Sequence, residues 1–138
     1  MPPEKPDSEL KSTTILLIED DSVNRLLLNI ILKKINPDFD IQEAVNGKEG
    51  LDQFIKKQPD LIFMDIHMPV MNGYEATVAI RNLENGKDVP IIAFTALTQK
   101  SDREKCFNAG INDHVSKPVA IESIQKTTYK WLGLTTED

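Results

Sequence analysis

One stretch of the sequence decides the fold: LIFMDIHMPVMNG, residues 61–73. Its first four residues are apolar and lie between turn signals, a pattern typical of a strand buried on both faces of a parallel sheet. Asp65 follows directly, at the carboxyl end of the strand, where open α/β sheets bind their ligands. Pro69 and Gly73 then close the loop. The stretch therefore predicts a parallel sheet that presents one carboxylate at its ligand-binding edge.

The rest of the chain alternates short apolar runs with longer amphipathic ones. Predicted strands cover residues 14–18, 39–45, 60–64, 89–94 and 112–116, and predicted helices cover residues 22–35, 47–57, 74–83, 99–108 and 121–132. Asn46 is the expected N-cap of the second helix, and Gly110 is expected to end the fourth. The polar second strand is expected near an edge. This alternation predicts a flavodoxin-like (βα)5 fold, doubly wound, with strand order 2-1-3-4-5.

Length and composition limit the classes of function. The 138 residues suit about one domain. The net charge is −6, with Lys and Arg scattered along the chain, so direct contact with nucleic acid or a membrane is not expected. Cys106 is the one cysteine and is expected to be buried and unreactive. Without a long apolar run or a signal peptide, the chain is predicted to be soluble and cytoplasmic.

The chain ends differ in composition from the middle. Residues 1–12 contain three prolines and no apolar periodicity, which predicts a disordered tail or linker. The folded domain is expected over residues 13–134, with a short tail at 135–138. Because such linkers commonly join domains, the chain is expected to come from a longer protein.

Parallel strands end on the same edge of a sheet, so residues from distant segments are predicted to meet there. That edge receives Glu19, Asp20, Asp65, Thr95 and Lys117. Each residue alone has a simpler alternative. Asp20 or Asp21 could cap the first helix, Thr95 could line a turn, and the lysine could be one more solvated charge. The convergence favours a site, because gathered carboxylates repel one another unless a cation joins them.

Magnesium suits this edge, because it prefers oxygen ligands and is typically held by one or two carboxylates plus a phosphate. The two histidines have no plausible partners for zinc. With the ion and Lys117 nearby, Asp65 can stay ionised and act as a nucleophile towards phosphorus. The three phosphoryl oxygens are assigned to Mg²⁺ bridging Asp20 and Asp65, to Lys117, and to the Thr95 hydroxyl. The edge thus predicts a phosphoryl acceptor at Asp65.

Residues 14–132 resemble a receiver domain of a two-component response regulator. The resemblance rests on the pair Glu19-Asp20, on Asp65, on Thr95 followed by Ala96, and on Lys117-Pro118, at matching spacings. The segments IEDDSVNR (residues 18–25) and MDIHMPVMNGYEA (residues 64–76) most resemble receivers fused to hybrid sensor histidine kinases. The resemblance covers nearly the whole chain outside the first tail.

This resemblance implies a partner, a metal site and a switch. Asp65 would take its phosphoryl group from a phosphohistidine on a histidine kinase or a histidine phosphotransfer protein, and the acyl phosphate would later hydrolyse. Mg²⁺ would be held by Glu19, Asp20, Asp65 and the backbone carbonyl of His67. The Lys117-Pro118 bond would be cis. The phosphate would draw Thr95 inward and shift the face built from the fourth helix, fifth strand and fifth helix.

The same resemblance implies a signalling role. The chain would be a phospho-accepting domain that assists its own phosphorylation and dephosphorylation, and not an enzyme acting on a diffusible substrate. It could be the cytoplasmic part of a membrane-bound hybrid kinase.

Two positions depart from the usual residues of the family, and a third lies beside the expected phosphate. His114 stands where the family usually has an aromatic switch residue, so either a different switch or an exposed strand-end residue is expected. Glu19 replaces a commoner Asp, and its longer arm could reach the ion through water. The side chain of His67 is expected to lie beside the phosphate and to affect hydrolysis.

The first helix has more apolar surface than one core-facing stripe requires. The line Leu27, Ile31 and Ile35 is the expected core face. Val23, Leu26 and Ile30 are then candidates for docking the helical bundle of a partner. The alternative is that neighbouring segments of the chain cover them.

Three other functions fit the sequence less well than a phosphoryl acceptor. A phosphatase of the haloacid dehalogenase type would need a second Asp two residues after the nucleophile, where this chain has His67. A flavodoxin-like FMN carrier would need a neutral, glycine-rich loop after the first strand, and Glu19-Asp20-Asp21 would repel its phosphate. A degenerate receiver used only for interactions is disfavoured because the acceptor, the hydroxyl and the lysine are all present.

Overall fold

The structure is a computed structural model, and it describes residues 13–96 and 100–134 of the chain. Within these residues, strands and helices alternate as predicted. The strands are β1 (Thr14–Ile18), β2 (Asp40–Ala44), β3 (Leu61–Met64), β4 (Ile91–Thr95) and β5 (Asp113–Ser116), and the helices are α1 (Ser22–Ile35), α2 (Gly47–Lys56), α3 (Gly73–Asn82), α4 (Lys100–Ala109) and α5 (Ile121–Leu132). The predicted tails at 1–12 and 135–138 lie outside the described residues. So does Gln99, the predicted start of the fourth helix.

The five strands form one parallel sheet in the order β2-β1-β3-β4-β5. This order confirms the flavodoxin-like prediction, and the polar strand β2 is at an edge as expected. Ile18, the last residue of β1, pairs with Ala44 on one side and with Met64 on the other. Because these three strands end at the same level, the residues that follow them start from one edge of the sheet.

Successive strand residues point to opposite faces, so the sheet has a hydrophobic core on each side. One core lies under α2, α3 and α4 and contains Leu16, Ile18, Phe54, Ile62, Met64, Ile80, Ala93 and Cys106 among others. The other lies under α1 and α5 and contains Ile15, Leu17, Leu28, Leu32, Phe63, Phe94, Val115 and Ile124 among others. Cys106 is buried, as predicted. The strands are therefore packed rigidly on both faces and can hold their carboxyl ends in fixed positions.

Side-chain caps fix where the helices on the ligand-binding edge begin. Asp21 accepts hydrogen bonds from Val23 N and Asn24 N and so caps α1. Asn46 caps α2, as predicted. Asn72 and Glu75 form a reciprocal capping box, so α3 begins at Gly73, one residue earlier than expected. These caps also tie each loop at the site to the helix that follows it.

Two predicted features of the elements are wrong. Strand β4 does not start at Val89, because Pro90 has no N–H to donate to the ladder, and the strand extends to Thr95 instead. Leu27 is not on the core face of α1, since 40% of it is exposed. The core-facing residues are Leu28, Ile31 and Leu32, because the contacts of α1 with α5 and β1 set its rotation.

No helix in residues 13–96 or 100–134 is both long and apolar enough to cross a membrane.

Candidate functional site

Asp65 lies at the carboxyl end of β3, in the middle of the sheet. Its N–H donates to the carbonyl oxygen of Ile18 at 2.8 Å, which continues the β1–β3 ladder by one residue. Only 3% of Asp65 is exposed. The acceptor carboxylate predicted from the sequence is therefore fixed by backbone contacts on a rigid strand.

The loop after Asp65 is anchored at both of its ends by glycines. Gly73 N donates to Ile66 O at 2.8 Å, and Gly47 N donates to Met71 O at 3.0 Å. A Cβ on Gly73 would overlap Asp65 O and would lie 2.8 Å from Ile66 Cα. The sequence requires glycine at residue 73 because α3 begins directly against the backbone of the site.

Three carboxylates gather at this edge. Glu19, Asp20 and Asp65 each offer a carboxylate oxygen, and these atoms lie within 4.8 Å of one another. Glu19 is 1% exposed, and Asp20 is exposed. Glu19 N donates to Ala44 O at 3.0 Å, and its Oε2 accepts from Asp21 N at 3.0 Å. Residues from β1 and β3 therefore converge as predicted.

Lys117 reaches into this acidic group from the end of β5. Its Nζ lies 3.1 Å from Glu19 Oε1 and 3.4 Å from Asp65 Oδ2. The ammonium also lies 5.2 Å from the centre of the Phe94 ring. The Lys117-Pro118 peptide bond is cis, and Lys117 N donates to Thr95 O at 3.0 Å. The lysine is thus paired with two buried carboxylates at once.

Burial and neighbouring charges shift the protonation of all three groups. Burial raises the pKa of Glu19 to about 7, and the nearby Asp65 charge adds to the rise. Burial likewise raises the pKa of Asp65, although Lys117 opposes the rise. Burial alone would lower the pKa of Lys117, but the attraction of Asp65 and Glu19 outweighs it and the pKa is raised. One ammonium therefore does not fully compensate the buried acids.

The donor set fits a hard divalent cation. All three candidate ligands are carboxylates, which suit Mg²⁺. Glu19 Oε1 is buried and accepts no aligned hydrogen bond from the described residues, although the Lys117 ammonium lies close to it as a charge. A cation beside this oxygen would provide the missing partner and offset the effect of burial on both acids.

Three other predicted site residues lie on, or just after, the central and edge strands β3, β4 and β5. Thr95 is 2% exposed at the carboxyl end of β4, the strand next to β3. His67 is in the loop two residues after Asp65, and its side chain is exposed. His114 is half-buried on β5, where its Nε2 lies 3.3 Å from Ser116 Oγ. The metal-binding role of His67 and the switch roles of Thr95 and His114 stay predictions.

The predicted partner surface on α1 is exposed. The exposed fractions are 62% for Val23, 58% for Leu26 and 43% for Ile30. No described neighbouring segment covers these side chains fully, and Leu27 joins them. They form one apolar surface on α1, the helix that follows the acidic loop (residues 19–21).

Two residues near the site have features that the sequence does not indicate. Val70 is 80% exposed in the loop after Asp65 and has a φ of 70°, with Met71 N donating to Pro69 O at 2.7 Å in a γ-turn. Because β-branched residues rarely adopt a positive φ, nothing in the sequence indicates this backbone conformation at Val70. Arg25 donates to Glu19 O at 2.8 Å, a contact that the sequence motif alone does not indicate.

Comparison with known proteins identifies the family. The family model described as the response regulator receiver domain matches residues 15–129. The chain is a response regulator receiver domain of the two-component phosphorelay type. The receiver is 40% identical over 119 residues to hybrid signal transduction histidine kinase I of Dictyostelium discoideum, covering 81% of this chain and 7% of that protein. It is 33% identical to probable histidine kinase 1 of Oryza sativa subsp. indica, covering 86% and 15%. The chain thus spans a small part of these relatives.

Two related receiver structures have the same fold, one with a bound metal ion and one in complex with a second protein. The receiver domain of sensor histidine kinase PA1611 from Pseudomonas aeruginosa PAO1 is 36% identical, with a TM-score of 0.81 and coverage of 88% of this receiver and 98% of that chain. That structure has a magnesium ion coordinated in its active site cleft. The receiver domain of Saccharomyces cerevisiae Ssk1, co-crystallised with the histidine phosphotransfer protein Ypd1, is 30% identical, with a TM-score of 0.79 and coverage of 88% and 89%.

Proposed function

We propose that Asp65 accepts a phosphoryl group from a phosphohistidine and thereby carries a two-component signal. The observation that carries this proposal is the ion pair between Asp65 Oδ2 and Lys117 Nζ, 3.4 Å apart, beside the carboxylates of Glu19 and Asp20. Burial on its own favours a protonated, weakly nucleophilic Asp65. The ammonium favours the ionised form, which is the form that attacks phosphorus.

The transfer forms one bond and breaks one. A carboxylate oxygen of Asp65 attacks phosphorus, and the bond between phosphorus and the imidazole nitrogen of the donor breaks, leaving its electron pair on that nitrogen. The Lys117 ammonium would neutralise one phosphoryl oxygen, and the Thr95 hydroxyl would donate to another. These two groups would stabilise the negative charge on the phosphoryl oxygens in the transition state and would thereby speed the transfer.

Glu19, Asp20 and Asp65 would hold Mg²⁺, together with the backbone carbonyl of His67. When bound, the ion supplies positive charge for the remaining phosphoryl oxygen. The magnesium ion in the related PA1611 receiver supports this choice of metal.

The chain would assist its own phosphorylation and the later hydrolysis of the acyl phosphate, without turning over a diffusible substrate. The phosphate would shift Thr95 and the face formed by α4, β5 and α5, with His114 as the proposed second switch residue. The proposed receiver covers residues 13–134, with tails at 1–12 and 135–138. Its similarity to hybrid kinases supports a place within a longer protein, for which a cytoplasmic location is part of the proposal.

Asp65→Asn is expected to abolish labelling of the receiver by radioactive acetyl phosphate in the presence of Mg²⁺. The amide keeps the shape of the side chain but is not a nucleophile towards phosphorus. Asp52→Asn is the matched control, because Asp52 is an exposed carboxylate on α2 whose ion pair with Lys48 adds little stability. Labelling of Asp65→Asn at the rate of the control would overturn the proposal.

The partner is proposed to be a histidine kinase or a histidine phosphotransfer protein that docks on the apolar surface of α1. The surface consists of Val23, Leu26, Leu27 and Ile30, on the helix that directly follows the acidic residues 19–21. The complex of the related Ssk1 receiver with Ypd1 supports this class of partner. A helical bundle that covers the surface would bring its phosphohistidine towards the edge where Asp65 lies.

The double variant Leu26→Ser, Ile30→Ser is expected to slow phosphoryl transfer from a phosphorylated histidine phosphotransfer protein about tenfold or more, because buried apolar interface residues each contribute on the order of 1 kcal/mol. Labelling by acetyl phosphate should not change. The control is Ile55→Ser, Val78→Ser, which removes exposed apolar side chains from α2 and α3. Unchanged transfer rates in the α1 variant would remove this docking surface from the proposal.

A further inference from the structure

Arg25 contacts both the backbone of Glu19 and the side chain of Glu43. Its Nη1 donates to the backbone carbonyl oxygen of Glu19 at 2.8 Å. Its Nε lies 3.2 Å from Glu43 Oε1 on β2. The arginine side chain is 18% exposed, so these contacts are shielded in part from solvent. Arg25 thus connects α1, the acidic loop and the edge strand.

Glu43 is itself held in place by a second contact. Its other oxygen, Oε2, accepts from Asn29 Nδ2 at 2.9 Å. Asn29 is one helical turn after Arg25, so both residues reach Glu43 from the same side of α1. The carboxylate of Glu43, which pairs with the guanidinium, is therefore itself held by a second hydrogen bond from the same helix.

These contacts leave Glu19 with one oxygen that accepts no aligned hydrogen bond from the described residues. Its N–H is bonded to Ala44 O, its carbonyl to Arg25 and its Oε2 to Asp21 N. Oε1 remains, buried and facing the Lys117 ammonium. We propose that Arg25 is a positioning residue, which fixes the acidic loop so that Glu19 Oε1 points into the cation site. This inference rests on the proposed function, because it assumes that the site binds Mg²⁺.

Positioning and simple electrostatics predict effects of opposite sign. A positive charge near the site repels a cation, so the loss of Arg25 as a mere charge would tighten Mg²⁺ binding. The loss of Arg25 as a positioning residue would weaken it, since outer contacts of metal ligands are typically worth 10- to 100-fold in affinity. Lysine keeps the charge but not the planar fork that reaches two acceptors.

The experiment measures the unfolding temperature of the receiver over a series of MgCl₂ concentrations, which gives a dissociation constant for Mg²⁺ alone. Arg25→Lys and Arg25→Gln are both expected to weaken Mg²⁺ binding about tenfold or more. Arg81→Lys is the matched control, because Arg81 also donates to backbone carbonyls, those of Gly110 and Gly86, but at the opposite edge of the sheet. It should lower the unfolding temperature and leave the dissociation constant unchanged.

Three results would overturn the inference, and they are distinguishable. If both Arg25 variants lower the unfolding temperature but bind Mg²⁺ like the wild type, Arg25 is only structural. If Arg25→Lys binds normally and Arg25→Gln binds more tightly, only the charge matters. If the wild type itself shows no Mg²⁺-dependent shift, the metal site of the proposed function fails, and the positioning role fails with it.

Discussion

Lys117→Met is expected to slow phosphoryl transfer to Asp65 about 100-fold or more, because the ammonium is the one side-chain cation paired with the buried acids in the described residues. Methionine keeps most of the length and apolar volume of the lysine stem, and it removes the ammonium, which lies 5.2 Å from the centre of the Phe94 ring. The loss should therefore come from charge and not from a cavity. The measurement is the rate of labelling by acetyl phosphate at saturating Mg²⁺.

The same substitution should make the stability of the Mg²⁺-free protein depend more steeply on pH. The pKa of Glu19 is about 7 in the folded state, above the ordinary value of 4.5, so the folded state holds a proton that the unfolded state has lost. Such a group lowers the free energy of unfolding as pH rises through that window. Lys117 limits the loss, because it stabilises the ionised form of Glu19. Without it, the loss should grow and extend above pH 7.

Urea unfolding at about pH 5 and about pH 8 would measure this effect. The difference between wild type and Lys117→Met should be smaller at the lower pH, where Glu19 is protonated and Lys117 loses one of its two charged partners, and about 2 kcal/mol or more at the higher pH. The control is Lys130→Met. Lys130 also pairs with a carboxylate at 3.4 Å and lies over an aromatic ring, but its side chain is 64% exposed, so little change is expected. A pH-independent difference for Lys117→Met would contradict the role of its charge.

The edge where the site lies could be predicted from the sequence because the information is local. Glu19, Asp65 and Lys117 each follow a short strand directly, and the βα alternation makes all the strands parallel. Parallel strands in register end together, so their following residues must converge.

The rotation of α1 could not be predicted in this way. Apolar residues cover much of its circumference, so the pattern alone allows several core-facing lines. The contacts with α5 and β1 select Leu28 and Leu32, and they leave Leu27 exposed. Arg25 is a similar case, because its partner Glu43 is 18 positions away in the sequence. The contact depends on how β2 sits beside β1, which no local pattern specifies.

Gly73→Ala is expected to lower the free energy of unfolding by about 3 kcal/mol or more, and to weaken Mg²⁺-dependent labelling of Asp65. The added Cβ would overlap Asp65 O and come within 2.9 Å of Ile66 Cδ1. The neighbours are backbone atoms and a buried side chain of the core, so they cannot move aside cheaply. Either α3 or the carbonyl of Asp65 must shift, and these two flank the loop after Asp65. Urea unfolding and the labelling rate measure the two effects.

Gly133→Ala separates this clash from an ordinary glycine effect. Gly133 has a φ of 71° at the end of α5, and a Cβ there would meet no atom within 4 Å. Its replacement should therefore cost only the strain of a left-handed backbone, about 1 kcal/mol, and leave labelling unchanged. Equal losses in the two variants would mean that α3 can move away from β3 at little cost. The loop after Asp65 would then not be held by the close approach of Gly73, and its position would depend on the hydrogen bonds of Gly73 N and Gly47 N and on the capping box of α3.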